Sequence, residues 1–178
     1  MPNENPQHNH NQQRIGKSML GVFWVLFLIA LVIIFGNWER KQHNPNQSPD
    51  SYDKNGTRSV TLKRNAFGHY VTSGWVNGKE SVFMLDTGAT TVAVPAETAK
   101  KLQLRYGPSF TVQTANGLAA AYRSNIEHLK IGTIELHNVA AAITPGMTGN
   151  EILLGMSALK HIDFAQSGQQ LTLTQHKP

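Results

Sequence analysis

The stretch SVFMLDTGATTVAVP, residues 81–95, carries a run of apolar strand-formers straight into an acidic turn. Val82-Phe83-Met84-Leu85 reads as a buried strand, and Thr90 to Pro95 reads as the next one. Between them lie Asp86, Thr87, Gly88 and Ala89. A carboxylate beside so much buried surface is costly unless something uses it. Asp86 could simply cap its own turn, since Asp, Thr and Gly are all turn formers. A strand end that presents a carboxylate in a tight turn also suits acid–base chemistry, with Gly88 letting substrate and a second chain approach the backbone closely.

Working outward, the same style of short strand recurs. GHYVTSGWVNGKESVFML, residues 68–85, holds two β-rich runs joined by Asn77-Gly78, a dipeptide that accepts positive φ at both positions and signals a hairpin. FTVQTANGLAAAYRS, residues 110–124, repeats the pattern around Asn116-Gly117. IEHLKIGTIELHNVAAAI, residues 126–143, places Gly132 between two alternating runs, and Leu171 to Thr174 form a last strand. Only PAETAKKLQL after Val94 and MSALKHI after Gly155 look helical. Many short strands with one or two short helices predict an all-β, closed or nearly closed barrel over residues 58–178.

The N-terminal third is organised differently. Residues 1–17 are rich in Asn, Gln, Pro and His and predict a disordered polar tail, with His8 and His10 as solvated residues rather than metal ligands. From Ser18 to Trp38 no charge interrupts SMLGVFWVLFLIALVIIFGNW. As a helix that run spans about 30 Å, the thickness of a bilayer's hydrocarbon core. No small-residue cleavage site follows, so an uncleaved single-pass anchor over residues 18–38 is expected rather than a signal peptide. Arg14 and Lys17 before the span balance Arg40 and Lys41 after it, so charge hardly sets the orientation. A short tail before a first span favours the tail in the cytoplasm and the C-terminal domain outside it. Residues 39–57, polar with two prolines, predict an extended linker.

Composition narrows the chemistry. The 178-residue chain has 16 Lys+Arg against 11 Asp+Glu and no cysteine. Disulfides, thiolate metal sites and a cysteine nucleophile are excluded. The basic residues are scattered without aromatic interleaving, which argues against nucleic acid as a partner. No G-x-S-x-G turn occurs, and His69, His128, His137 and His161 are dispersed. No His, Asp or Glu grouping has a recognisable ligand spacing, so neither metal nor cofactor is expected.

Taken in order, residues 68–104, FTVQTANGLAAAYRSNIEHLKIGTIELHNVAAAI and ILLGMSALKHIDF resemble the bacterial retropepsin-like aspartic proteases with one membrane span. The resemblance covers residues 67 to 174 and implies a retropepsin-like barrel with a flap hairpin. It implies an aspartic endopeptidase with Asp86 as catalytic residue and Thr87, Gly88 and Ala89 completing its loop. Ala115, Asn116 and Gly117 fall at the flap, which would close over an extended peptide and add it as a strand. Leu153, Leu154 and Gly155 match the hydrophobic-hydrophobic-Gly element behind the active-site loop.

Only one Asp-Thr-Gly is present, so one chain supplies half a site and a two-fold homodimer would supply both halves. Thr90 and Met156 stand where retroviral relatives carry an interlocking Asp and Arg near the dimer axis, so both partners of that ion pair are missing together. Confinement to a bilayer raises effective concentration and would compensate. The resulting expectation is a homodimeric, membrane-anchored endopeptidase of the bacterial inner membrane, facing the periplasm, with a polypeptide substrate. The rival reading is a peptide-binding or envelope assembly module on the same barrel, which leaves a buried carboxylate pair without a use.

Overall fold

The structure, a computed structural model, describes residues 8–114 and 117–176. It divides into two compact units, one up to Arg40 and one from Lys41 onward. The first unit is almost all of α1 (His8–His43). Within α1, Met19–His43 is long and apolar enough to cross a membrane, its most apolar 18 residues having a mean hydropathy of 2.9, and nearly all its large apolar side chains are exposed. The helix outruns the expected span at both ends. From His8 to Lys17 no proline interrupts the chain, so a nucleated apolar helix propagates back through residues expected to be disordered. At the other end it stops one residue short of Asn44, because Pro45 bars the α conformation from the residue before it.

Residues 41–57, expected to be part of a tether, are built into the fold. Asn44 and Asn46 are buried, at 7% and 3% exposure. The Asn46 amide donates to Lys63 O (2.8 Å) and Val71 O (2.7 Å), and its Oδ1 accepts from Lys63 N–H (2.6 Å). Asn44 donates to Ser73 Oγ and accepts from Asn46 N–H. Then β1 (Asp50–Lys54) turns through Asn55-Gly56, both at positive φ, into β2 (Thr57–Lys63).

In the expected domain, β3 (Val71–Val76) and β4 (Lys79–Leu85) form the Asn77-Gly78 hairpin, again with both turn residues at positive φ. β5 (Val92–Pro95) leads into α2 (Ala96–Leu102), which ends where Gln103 adopts the left-handed conformation. β6 (Ser109–Thr114) pairs with β7 (Gly117–Ile131), and β7 turns at Gly132-Thr133 into β8 (Ile134–Thr144). β9 (Ile152–Leu154) is followed by α3 (Met156–Leu159), then β10 (Asp163–Ser167) and β11 (Gln170–His176).

Two sheets result. One has the order β1-β2-β11-β10, wholly antiparallel. The other runs β3-β4-β9-β5-β8-β7-β6, and β7 pairs back onto β3 at Trp75↔Lys130 and Val76↔Leu129. Six strands are thereby linked in a ring, with β6 hanging outside it. The mostly-β fold with short helices agrees with expectation. One core joins both sheets: Val60, Leu62, Leu171 and Leu173 cluster with Phe83, Val92, Val94, Ile126, Ile143, Ile152 and Leu154. Gly74 is where the ring closes most tightly, since a Cβ there would lie 2.3 Å from Lys130 O.

Candidate active site

Asp86 leaves the end of β4, held by the strands on which it depends. β4 runs parallel to β9, with Leu85 opposite Leu154. The Asp86 N–H donates to Leu154 O at 3.2 Å, and the preceding Leu85 N–H donates to Tyr70 O at 3.0 Å. The turn then closes on itself. Gly88 N–H donates to the Asp86 carboxylate Oδ1 at 2.9 Å, and Ala89 N–H donates to the Asp86 carbonyl at 3.2 Å. Asp86 is half-buried, while Thr87 and Gly88 are exposed and Ala89 is half-buried. The carboxylate is therefore oriented by a backbone amide and still open to solvent on one side.

The support behind the loop comes from Leu153, Leu154 and Gly155. Leu154 is fully buried, and Leu153 bridges β4 and β5 by pairing with both Met84 and Ala93. At Gly155 a Cβ would meet Thr91 O at 2.4 Å and Ala89 O at 2.6 Å, so only glycine fits against the loop. Past it, Met156 N–H donates to Ala89 O (2.8 Å) and Ser157 N–H to Thr90 O (3.1 Å). Thr90 and Met156, which lack the charges of the retroviral pair, thus lie on segments joined by backbone hydrogen bonds.

Ser157 was invisible to sequence reading. Its hydroxyl donates to Ala140 O (2.7 Å) and accepts from Val92 N–H (2.9 Å), tying the start of β5, where the Asp86 loop ends, to the middle of β8. A serine at the start of a short helix carries no signal of such a bridge.

The flap expectation falls partly outside the described residues: Ala115 and Asn116 do, whereas Gly117 begins β7 with φ +104°. The hairpin arms are in register from Ser109↔Tyr122 to Thr114↔Gly117. Their base is stiffened by Gly107 N–H to Arg123 O (2.8 Å), by Arg123 over the Phe110 ring (5.2 Å) and by the edge contact of Tyr106 with Tyr122 (5.4 Å). Leu118, beside the tip, is 76% exposed. The chain's other aspartates stand apart: Asp50 and Asp53 lie on β1 and Asp163 on β10, all in the second sheet.

Residues 72–161, about half of the chain, match the family described as gag-polyprotein putative aspartyl protease. The chain belongs to that family. The fold of this retropepsin-like protease agrees: a retropepsin-like aspartic protease from Rickettsia conorii superposes with a TM-score of 0.57 and 29% identity, over 71% of this chain and 96% of the other. Two uncharacterized bacterial proteins are also similar to the protease. One, encoded in the cobV 5′ region of a Sinorhizobium species, is 29% identical over 88% of this chain and 72% of its own length. The other, from Rickettsia prowazekii, is 35% identical over 57% of this chain, which spans less than half (44%) of that relative.

Proposed function

We propose that this protease is a membrane-anchored aspartic endopeptidase that hydrolyses extended polypeptides as a homodimer, with Asp86 as the catalytic residue of each copy. The observation that carries the reading is the Asp86 loop itself, a half-buried carboxylate oriented by Gly88 N–H and braced from behind by Leu154 and Gly155. One such loop per chain offers one carboxylate, and a two-fold axis through the site would bring the second Asp86 to face it. Two facing carboxylates share one proton. The ionised one takes a proton from a bound water as its oxygen attacks the scissile carbonyl carbon. The protonated one gives its proton to the carbonyl oxygen, forming a tetrahedral diol. Collapse of the diol breaks the C–N bond as a proton moves to the leaving nitrogen, and the dyad returns to one shared proton.

Thr87, Gly88 and Ala89 complete the loop, and the hairpin carrying Ala115, Asn116 and Gly117 would cover the peptide as a flap. Leu153, Leu154 and Gly155 hold the loop rather than touch substrate. The apolar helix, with residues 18–38 as the anchor, would fix the enzyme in a bacterial inner membrane with its catalytic domain in the periplasm.

The test is peptide cleavage by the untruncated protein in lipid vesicles, beside Asp86→Asn, from pH 3 to 8. Wild-type cleavage should follow a bell-shaped profile and rise faster than linearly with protein density in the bilayer. Asp86→Asn should lose about 10²–10⁴-fold in rate. Peptide binding without cleavage by the wild type would overturn the reading in favour of a binding module.

A further inference from the structure

Away from Asp86, the turn end of the β7–β8 hairpin gathers three ligand-type side chains. His128 and His137 are direct cross-strand partners whose rings stack with centroids 4.9 Å apart and planes 23° from parallel. Glu135 lies two positions before His137 on β8, and so on the same face. One ligand atom from each of the three lies within 4.8 Å of the other two. In sequence the histidines are nine residues apart and resemble no ligand motif; the Gly132-Thr133 turn alone brings them into register.

We propose that His128, Glu135 and His137 form a surface site for a divalent transition-metal ion of the zinc class, which pins the β7–β8 hairpin. Two imidazoles and a carboxylate are a donor set that suits zinc, with a fourth position left to water. Bond lengths of about 2.0–2.2 Å place tetrahedral ligand atoms roughly 3.4 Å from one another. The three groups therefore close by rotating side chains that are half-buried or exposed, with no backbone shift. Each neutral imidazole keeps one nitrogen lone pair, and a shared cation uses both.

The backbones carrying these ligands are already fixed. His128 N–H donates to Asn77 Oδ1 (2.9 Å), and Gln175 clasps Glu135 by accepting from its N–H (3.1 Å) and donating to its carbonyl (2.6 Å). The Glu135 carboxylate has two competing cations, Lys130 Nζ at 3.1 Å from Oε1 and Arg58 Nη1 at 3.4 Å from Oε2. Lys130, at 40% exposure, can yield Oε1 and turn into water, while Arg58 stays on Oε2 and orients the carboxylate.

The experiment uses the full chain in detergent without an affinity tag, titrated with zinc against a chromophoric indicator and, separately, with cobalt(II). Wild type should take up one zinc at least tenfold more tightly than His128→Ala/His137→Ala, with cobalt(II) giving a visible absorption band that the double variant lacks. Glu135→Gln should fall between them, and zinc should raise the unfolding temperature most for wild type, less for Glu135→Gln and not for the double variant. The single exposed-site change His137→Asn serves if the double variant misfolds. Equal uptake by wild type and variants, or none at millimolar zinc, overturns the site. His8 and His10 remain in every variant, so binding by the tail cannot imitate the expected result.

Discussion

The centre of the ring and the sheet beside it hold strands together in different ways. In the ring, β9 and β5 are only three and four residues long and mostly buried, and β9 comes from far along the chain to lie parallel to β4. Nothing local helps such pairing, so its geometry depends on close packing and on the missing side chain at Gly155. In the β1-β2-β11-β10 sheet, neighbours are antiparallel, and two of the three pairings close through tight turns. Its outer strands β1 and β10 are exposed at every residue. Precision is concentrated where the carboxylate is presented. The outer sheet acts through its two inner strands, whose Val60, Leu62, Leu171 and Leu173 join the common core.

The sharpest way to break this contrast is Gly155→Ala. With carbonyl oxygens 2.4 and 2.6 Å from the new Cβ and no flexible side chain to yield, the β9–α3 junction must shift. A loss of about 3 kcal/mol is expected, read by urea unfolding, together with loss of cleavage. A tolerated alanine would mean that the loop is not braced from behind. Next comes Asn46→Ala, which severs the joint between Lys63 of the outer sheet and Val71 of the ring. Three hydrogen bonds to a 3%-exposed amide disappear, and a cost of about 2–3 kcal/mol should appear in the same measurement. An unchanged stability would return this segment to the role of a tether.

The smallest effect belongs to Glu135→Gln, which removes the charge linking β8 to Arg58 of β2. Hydrogen bonding to Lys130 and the nearby cations lower the Glu135 pKa from its ordinary 4.5 despite partial burial. The folded state thus favours the ionised form. Its contribution is complete above that ordinary value and is lost as pH falls through the lower folded value. The carboxylate is 28% exposed, so about 0.2–1 kcal/mol is expected at neutral pH in metal-free buffer, vanishing in acid. Unfolding curves at pH 7 and pH 3 check both size and sign.

The Asp86 turn was legible because its signal is local: apolar run, Asp-Thr-Gly, second apolar run. The Asn77-Gly78 and Gly132 turns were legible for the same reason, as were the two short helices. The first hairpin was equally legible in principle, since Asn55-Gly56 is the same dipeptide as Asn77-Gly78. Its polar arms, exposed throughout in β1, made it look like linker. Asn44, Asn46 and Ser157 could not be found this way. A polar side chain that bridges distant backbone groups is indistinguishable in sequence from one facing water. His128 and His137 were hidden by register, which depends on the turn rather than on spacing.

The pairing of β2 with β11 sets an order of events in time. Lys63 faces Gln170, so more than a hundred residues must leave the ribosome between the two halves of that ladder. At synthesis rates of about 5–20 residues per second, β2 waits several seconds or more with Val60 and Leu62 unsheltered. Closing so long a loop also makes folding intrinsically slow. A nascent chain ending before β11 would carry the Asp86 turn without the strand that completes its core. The topology therefore delays assembly of the protease domain until long after the hydrophobic helix has emerged.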